Sequence, residues 1–228
     1  MKKLVLLFSV MLVFIAACSE RPESTNNTLS ENAQSFSPHG AAYDNFVDFY
    51  NEMQDALGEE LELGDIYTRF DELEEEKREI QDGLVDVTDE ELADAADELL
   101  SIADAREETL DDEGAVFDEI ERMFKDAQET LDTVMTRGYS TQGDELMEVA
   151  TERLEAQRAI LDGKYEIVER ERALYELFAS DESTQEDIDE QSSAVSDAYI
   201  EVGALSDELG EKSDALNETL ESLYEFMN

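Results

Sequence analysis

The chain has 228 residues, with 62 Asp plus Glu against 16 Lys plus Arg and a formal net charge of −46. That balance excludes a nucleic-acid binder, whose phosphates demand a basic footprint, and argues equally against a body lying flat on an anionic lipid surface. With one cysteine and one histidine, there is no intrachain disulfide, and zinc sets, Glu-x-x-His di-iron pairs and Ser-His or Cys-His nucleophiles lack their members.

The chain opens with Lys2-Lys3 and a 14-residue apolar run from Leu4 to Ala17. A membrane span needs about 20 such residues, so the run reads as the apolar part of a signal peptide behind its positive start. It ends in Ile15-Ala16-Ala17-Cys18, which places the only cysteine directly after two small residues. This pattern resembles the lipobox of bacterial lipoprotein precursors. The resemblance implies diacylglyceryl transfer to the Cys18 thiol and cleavage between Ala17 and Cys18. The mature protein would then sit on the outer face of a membrane, held by lipid. An ordinary secretory signal cleaved at Ala16-Ala17 is the alternative, and a cysteine at the very next position argues against it. Loss of Lys2 and Lys3 with the leader takes the net charge from −46 to −48.

Residues 18–42 carry the cysteine and a polar, aperiodic stretch containing both prolines, Pro22 and Pro38, and the sole histidine, His39. As a flexible tether, the 24 residues after Cys18 have an end-to-end distance of about 27 Å. From residue 43 to residue 228 proline is absent, and apolar residues recur at helical spacing, which argues against the disorder that high charge can bring.

The first segment carries Phe46, Phe49, Tyr50, Met53, Leu57, Leu61, Ile66, Phe70, Leu73 and Ile80, and Gly83 suits its end. A new start follows at Thr88, with Glu91 completing a capping box. The second stripe is Leu92, Ala96, Leu99, Ile102, Leu110, Phe117, Ile120, Phe124, Leu131 and Val134, with Arg137-Gly138 as a C-terminal signal. Thr141 to Asp144 offers the next cap. Beyond it the stripe is Leu146, Val149, Ala150, Leu154, Ile160, Leu161, Ile167, Val168, Leu174 and Phe178. Ser180 to Thr184 interrupts the pattern with several candidate caps. The last segment repeats Ile188, Val195, Val202, Leu209, Leu216 and Leu223 every seven residues, beside Gln191, Ala198, Leu205, Lys212, Thr219 and Phe226. One seam is apolar and the other partly polar, which suits packing within a bundle better than a free-standing coiled coil.

Four long segments joined by short breaks predict an all-α fold, an elongated up-and-down bundle of about four antiparallel helices forming one domain over residues 43–228. A three-helix version, continuous through Gly138, is the alternative. Each helix needs one apolar stripe, which leaves most of the surface free to be acidic.

Chemistry is sparse. Asp111-Asp112-Glu113-Gly114 has the glycine of an EF-hand loop. In that register Thr109 falls at the first ligand position, and Ile120 falls where a bidentate Glu is required. A glycosidase needs a cleft that excludes water, which a thin rod does not provide. Tyr43, Phe46, Phe49 and Tyr50 could form a sugar-stacking or docking patch, but their helical spacing reads better as a core face. No catalytic residue, metal site or cofactor is expected.

The lipobox, the polar tether and the all-helical body, including Leu174-Tyr175-Glu176-Leu177-Phe178 through Phe226, resemble the YkyA-type cell-wall-binding lipoproteins of Gram-positive bacteria. The resemblance spans nearly the whole chain and implies a lipid-anchored helical bundle without enzymatic activity, with the membrane and the cell wall as partners. Acidity argues against wall binding through basic residues that grip teichoic acid. Divalent ions could bridge the two anionic surfaces, or aromatics such as Tyr139, Tyr165 or Tyr199 could contact neutral glycan. The partner is thus wall polymer or another envelope protein. An accessory subunit of a membrane-bound envelope enzyme or transporter is the competing reading.

So much like charge repels itself across the folded surface, and screening lengths fall from about 30 Å at 0.01 M salt to about 3 Å at 1 M. Thermal unfolding followed by circular dichroism should therefore show a midpoint that rises with salt, as suits a source in saline or alkaline conditions. An unchanged midpoint would remove repulsion as a determinant of stability.

Overall fold

The structure is a computed structural model that describes residues 63–84, 87–135, 140–180 and 182–227. Its four helices are α1 (Leu63–Asp82), α2 (Asp89–Met135), α3 (Ser140–Ala179) and α4 (Gln185–Met227), and no strand occurs among the described residues. At 1.5 Å per residue, the 47-residue α2 is about 70 Å long.

Helix ends follow local side-chain chemistry. After Asp82 the chain turns at Gly83, whose N–H donates to the Glu79 and Ile80 carbonyls at 3.3 and 3.0 Å. The expected capping box forms at the start of α2. The Thr88 N–H donates to Glu91 Oε2 at 2.8 Å, and the Glu91 N–H donates back to Thr88 Oγ1 at 3.2 Å. The Thr88 N–H and, at 2.8 Å, the Thr88 hydroxyl both donate to the exposed Glu91 carboxylate and hold it below its ordinary range. Among the candidates before α4, Thr184 is the cap: its N–H donates to Asp187 Oδ2 at 2.8 Å, and the Asp187 N–H returns to Thr184 Oγ1 at 3.3 Å. Helix α3 begins at Ser140, so Thr141 lies inside the helix rather than before it.

Cross-helix pairs define the topology. Arg172 meets Asp104 and Glu107, Lys164 meets Glu113, and Arg158 meets Asp118 and Glu121. Partners thus step in opposite directions along α2 and α3, and the chain reverses between Met135 and Ser140. The continuous three-helix alternative is therefore incorrect. The same antiparallel progression joins α3 to α4, from Gln191 near Arg170 to Lys212 at Glu152. Helix α1 runs antiparallel to α2, from Glu74 beside Arg106 to Arg69 beside Asp112.

The core is a stripe rather than a globule. It includes Leu99, Ala103, Leu110, Phe117 and Ile120 of α2, Leu161, Val168, Leu174, Tyr175 and Phe178 of α3, and Ile188 and Val195 of α4. In α4 the heptad residues Ile188, Val195, Val202 and Leu216 are buried as their spacing predicts. The companion seam is partly polar: Gln191 donates to the Arg170 carbonyl at 2.7 Å, and Lys212 pairs with Glu152 at 2.8 Å. The expected aromatic start of the first helix, Phe46 to Leu61, lies outside the described residues, as do Arg137-Gly138.

Helices α3 and α4 pack tightly at Gly163, where an added Cβ would stand 2.6 Å from Val202 Cγ2. Valine is branched at Cβ and strongly prefers one χ1 rotamer in a helix, so relief would need either an unfavourable rotamer or a shift of one helix. Gly163→Ala should lose about 1 kcal/mol or more through overpacking, against a helix-propensity gain of roughly the same size at most. At Gly210 the same added Cβ meets open space, so Gly210→Ala should gain about 0.5–1 kcal/mol. Urea unfolding of the two variants should move the midpoint in opposite directions.

Candidate functional site

The stripes of α2 and α3 are interrupted at core positions by charge. Arg106 and Glu113 on α2, and Glu171 on α3, are 2, 1 and 1 % exposed, as buried as the leucines around them. Lys77 on α1 is 5 % exposed. These groups form two layers one heptad apart, and each places a cation against a carboxylate from the facing helix.

One layer is a closed ring of alternating charge. Lys77 Nζ lies 2.6 Å from Glu74 on its own helix and 3.0 Å from Glu171 Oε1. Arg106 closes the circuit, pairing with Glu171 through Nη1 and with Glu74 through Nη2 at 2.5 Å. Helix α4 adds Tyr199, whose hydroxyl accepts from Lys77 Nζ at 2.7 Å and donates to Glu171 Oε1 at 2.8 Å. All four helices therefore meet at one point. Below it, Gln81 Nε2 donates to the buried Tyr175 hydroxyl at 3.1 Å. The Arg106 guanidinium stacks 5.2 Å from the Phe70 ring centre, and its Nε has no hydrogen-bond partner among the described residues.

In the second layer, Lys164 Nζ donates to both Glu113 oxygens at 3.0 Å and lies 5.4 Å from the ring centres of Tyr67 and Phe70. Nearby, Arg69 reaches Thr109 Oγ1 at 3.1 Å and pairs with Asp112. Glu113, read from the sequence as part of an acidic run, is thus a core residue neutralised from α3.

Burial by itself would raise the Glu171 carboxyl. The charges of Arg106 and Lys77, with hydrogen bonds from Arg106 and Tyr199, outweigh it and hold it at about 2. Tyr199 is pushed up by burial and by Glu171, so its phenol keeps the proton it donates. This removes Tyr199 from the aromatics expected to face a glycan, because its hydroxyl is committed inside the bundle. Tyr165 is half-buried, and its hydroxyl donates to Asp111 Oδ1 at 2.8 Å. Tyr139, Ala17 and Cys18 lie outside the described residues. Among those described, no group of His, Cys, Asp and Glu is placed to hold a metal ion, and no helix is long and apolar enough to cross a membrane.

A carboxyl held down in the folded state contributes stability above its unfolded value, and that contribution is lost as pH falls from the ordinary carboxylate range towards about 2. Glu171→Gln leaves Arg106 and Lys77 short of a partner in the core and should cost about 3–5 kcal/mol at pH 7. The gap between wild type and Glu171→Gln should narrow between pH 5 and pH 3. Relief of surface repulsion acts on both proteins and cancels in the difference. A gap constant with pH would place the cost elsewhere.

The comparisons agree with this architecture. A crystal structure of a conserved protein of unknown function from Staphylococcus aureus superposes with a TM-score of 0.71 at 17 % identity, covering 84 % of this chain and 97 % of that one. At that identity the likeness shows the fold. No curated protein registers as a relative by sequence. The family model of YkyA, described as "Putative cell-wall binding lipoprotein", matches residues 45–226. That match takes in all four helices and both charged layers, and the chain belongs to the YkyA family.

Proposed function

We propose that this protein is a non-enzymatic envelope lipoprotein, anchored at Cys18 on the outer face of the membrane, whose acidic helical rod acts as a spacer or binding module towards the cell wall. The observation that carries the reading is the family match over residues 45–226, downstream of Ile15-Ala16-Ala17-Cys18. The rod form supports it. The buried polar groups are engaged in holding helices together, and the outward faces are dominated by carboxylates. Contact with an anionic wall polymer then runs through divalent ions shared between the two surfaces, since the glycan-stacking route has lost Tyr199.

Mass spectrometry of the mature wild-type protein should find a diacylglyceryl-modified Cys18 at its N-terminus, and Cys18→Ala should abolish acylation and release the protein from the membrane fraction. An unmodified Cys18 would overturn the anchor. The purified protein should co-sediment weakly with isolated walls, less so with a chelator present, and should give no clearing band on peptidoglycan zymography. Crosslinking in cells would distinguish the accessory role, which predicts one stoichiometric membrane enzyme in place of wall fragments.

A further inference from the structure

Helix α1 is attached to the rest of the bundle differently from the other helices. It buries only Leu63, Ile66 and Lys77, with Phe70 and Ile80 partly covered in the shared core. Its other cross-helix contacts are polar or pair a cation with an aromatic face: Arg69 to Thr109 and Asp112, Gln81 to Tyr175, Glu74 and Lys77 to the charge ring, Phe70 against Arg106, and Tyr67 and Phe70 against Lys164.

The ring divides along this boundary into two neutral halves. Glu74 and Lys77 are an i, i+3 pair within α1 at 2.6 Å, and Arg106 and Glu171 pair with each other across α2 and α3. Tyr199 stays with Glu171 at 2.8 Å, and Lys164 stays with Glu113, all within α2 to α4. Deleting one member strands a buried charge, which is strongly destabilising. Lifting α1 away whole strands none: each half keeps its own ion pair and gains water. What opposes release is a small apolar contact together with the polar bonds across the boundary, Lys77 to Glu171 and Tyr199, Glu74 to Arg106, Arg69 to Asp112 and Gln81 to Tyr175, while α2, α3 and α4 keep their own continuous stripe.

We propose that α1 is a releasable strap, which undocks from the α2–α4 body as one unit while that body stays folded. Release uncovers part of the stripe formed by Leu99, Ala103 and Leu110. Any load applied to the chain ahead of residue 63 reaches α1 before it reaches the rest of the bundle. The inference rests on the packing alone and stands apart from the wall-binding reading.

Hydrogen exchange followed by mass spectrometry on the full chain tests it. Peptides from α1 should exchange about 10-fold or more faster than those from 99–120 and 160–175, with Asp71 to Ile80 opening together rather than from the ends. Equal protection in α1 and the body would overturn the proposal. Lys77→Glu removes the neutrality of the α1 half, and should strip protection from α1 while leaving 160–175 and 195–205 of the body unchanged. Loss of protection throughout the chain would show α1 to be integral to the fold, and no change in α1 would show that the ring does not hold it; either result overturns the strap.

Discussion

The charge ring at Glu171 is the constraint around which the bundle is arranged. Ionised groups withdrawn from water lose several kcal/mol of hydration each, and recover it only through close pairing in good geometry. A carboxylate as buried as Glu171 is therefore paired directly with Arg106, and in the closed bundle Lys77 and Tyr199 complete its shell from two further helices. No neighbouring turn offers the same set, so the position of each helix along the rod follows from this one meeting point.

That matters because heptad stripes are nearly degenerate. A seam of Leu, Ile, Val and Ala presents almost the same surface after sliding by seven residues. The pairs Arg106 with Glu171 and Glu113 with Lys164 break the degeneracy. They lie one heptad apart with their signs reversed between α2 and α3, so a slip of one heptad sets Arg106 against Lys164 or Glu113 against Glu171. The hydrophobic stripes supply most of the attraction, and the charged layers select which of several similar alignments is native. The surface ladder of Arg158 and Arg172 with the acids of α2 follows that register and adds little of its own, as exposed pairs do.

Much of this was legible in one dimension. Local signals carry their meaning in a few consecutive residues, so the Thr88–Glu91 box and the α4 heptad lead directly to the helices found. The charged core does not. Arg106 and Glu113 fall in gaps of the apolar stripe between Ile102, Leu110 and Phe117, and in a chain so rich in charge a gap looks like solvent-facing surface. Their meaning depends on residues more than fifty positions away on a facing helix. Tyr199 is hidden in the sequence for a related reason. It sits one step from the apolar companion Ala198, and only the helix crossing decides that its hydroxyl turns inward to Glu171. The interrupted stripe itself was the available signal: two polar residues seven apart on one helix, matched by two of opposite sign on the next.

The pairing has an outward consequence. Arg69, Lys77, Arg106, Arg158, Lys164, Arg172 and Lys212 are all drawn into bridges between helices. Much of the positive charge thus sits at seams, and although Arg78, Arg122 and Arg170 pair outward within their own helices, carboxylates dominate the outward faces. Each molecule must carry its own cloud of mobile cations, and where many copies stand side by side those clouds overlap. The osmotic pressure of the confined ions draws in water and drives the copies apart, so a crowded layer of this protein behaves as a swollen, self-spacing brush rather than a sticky film.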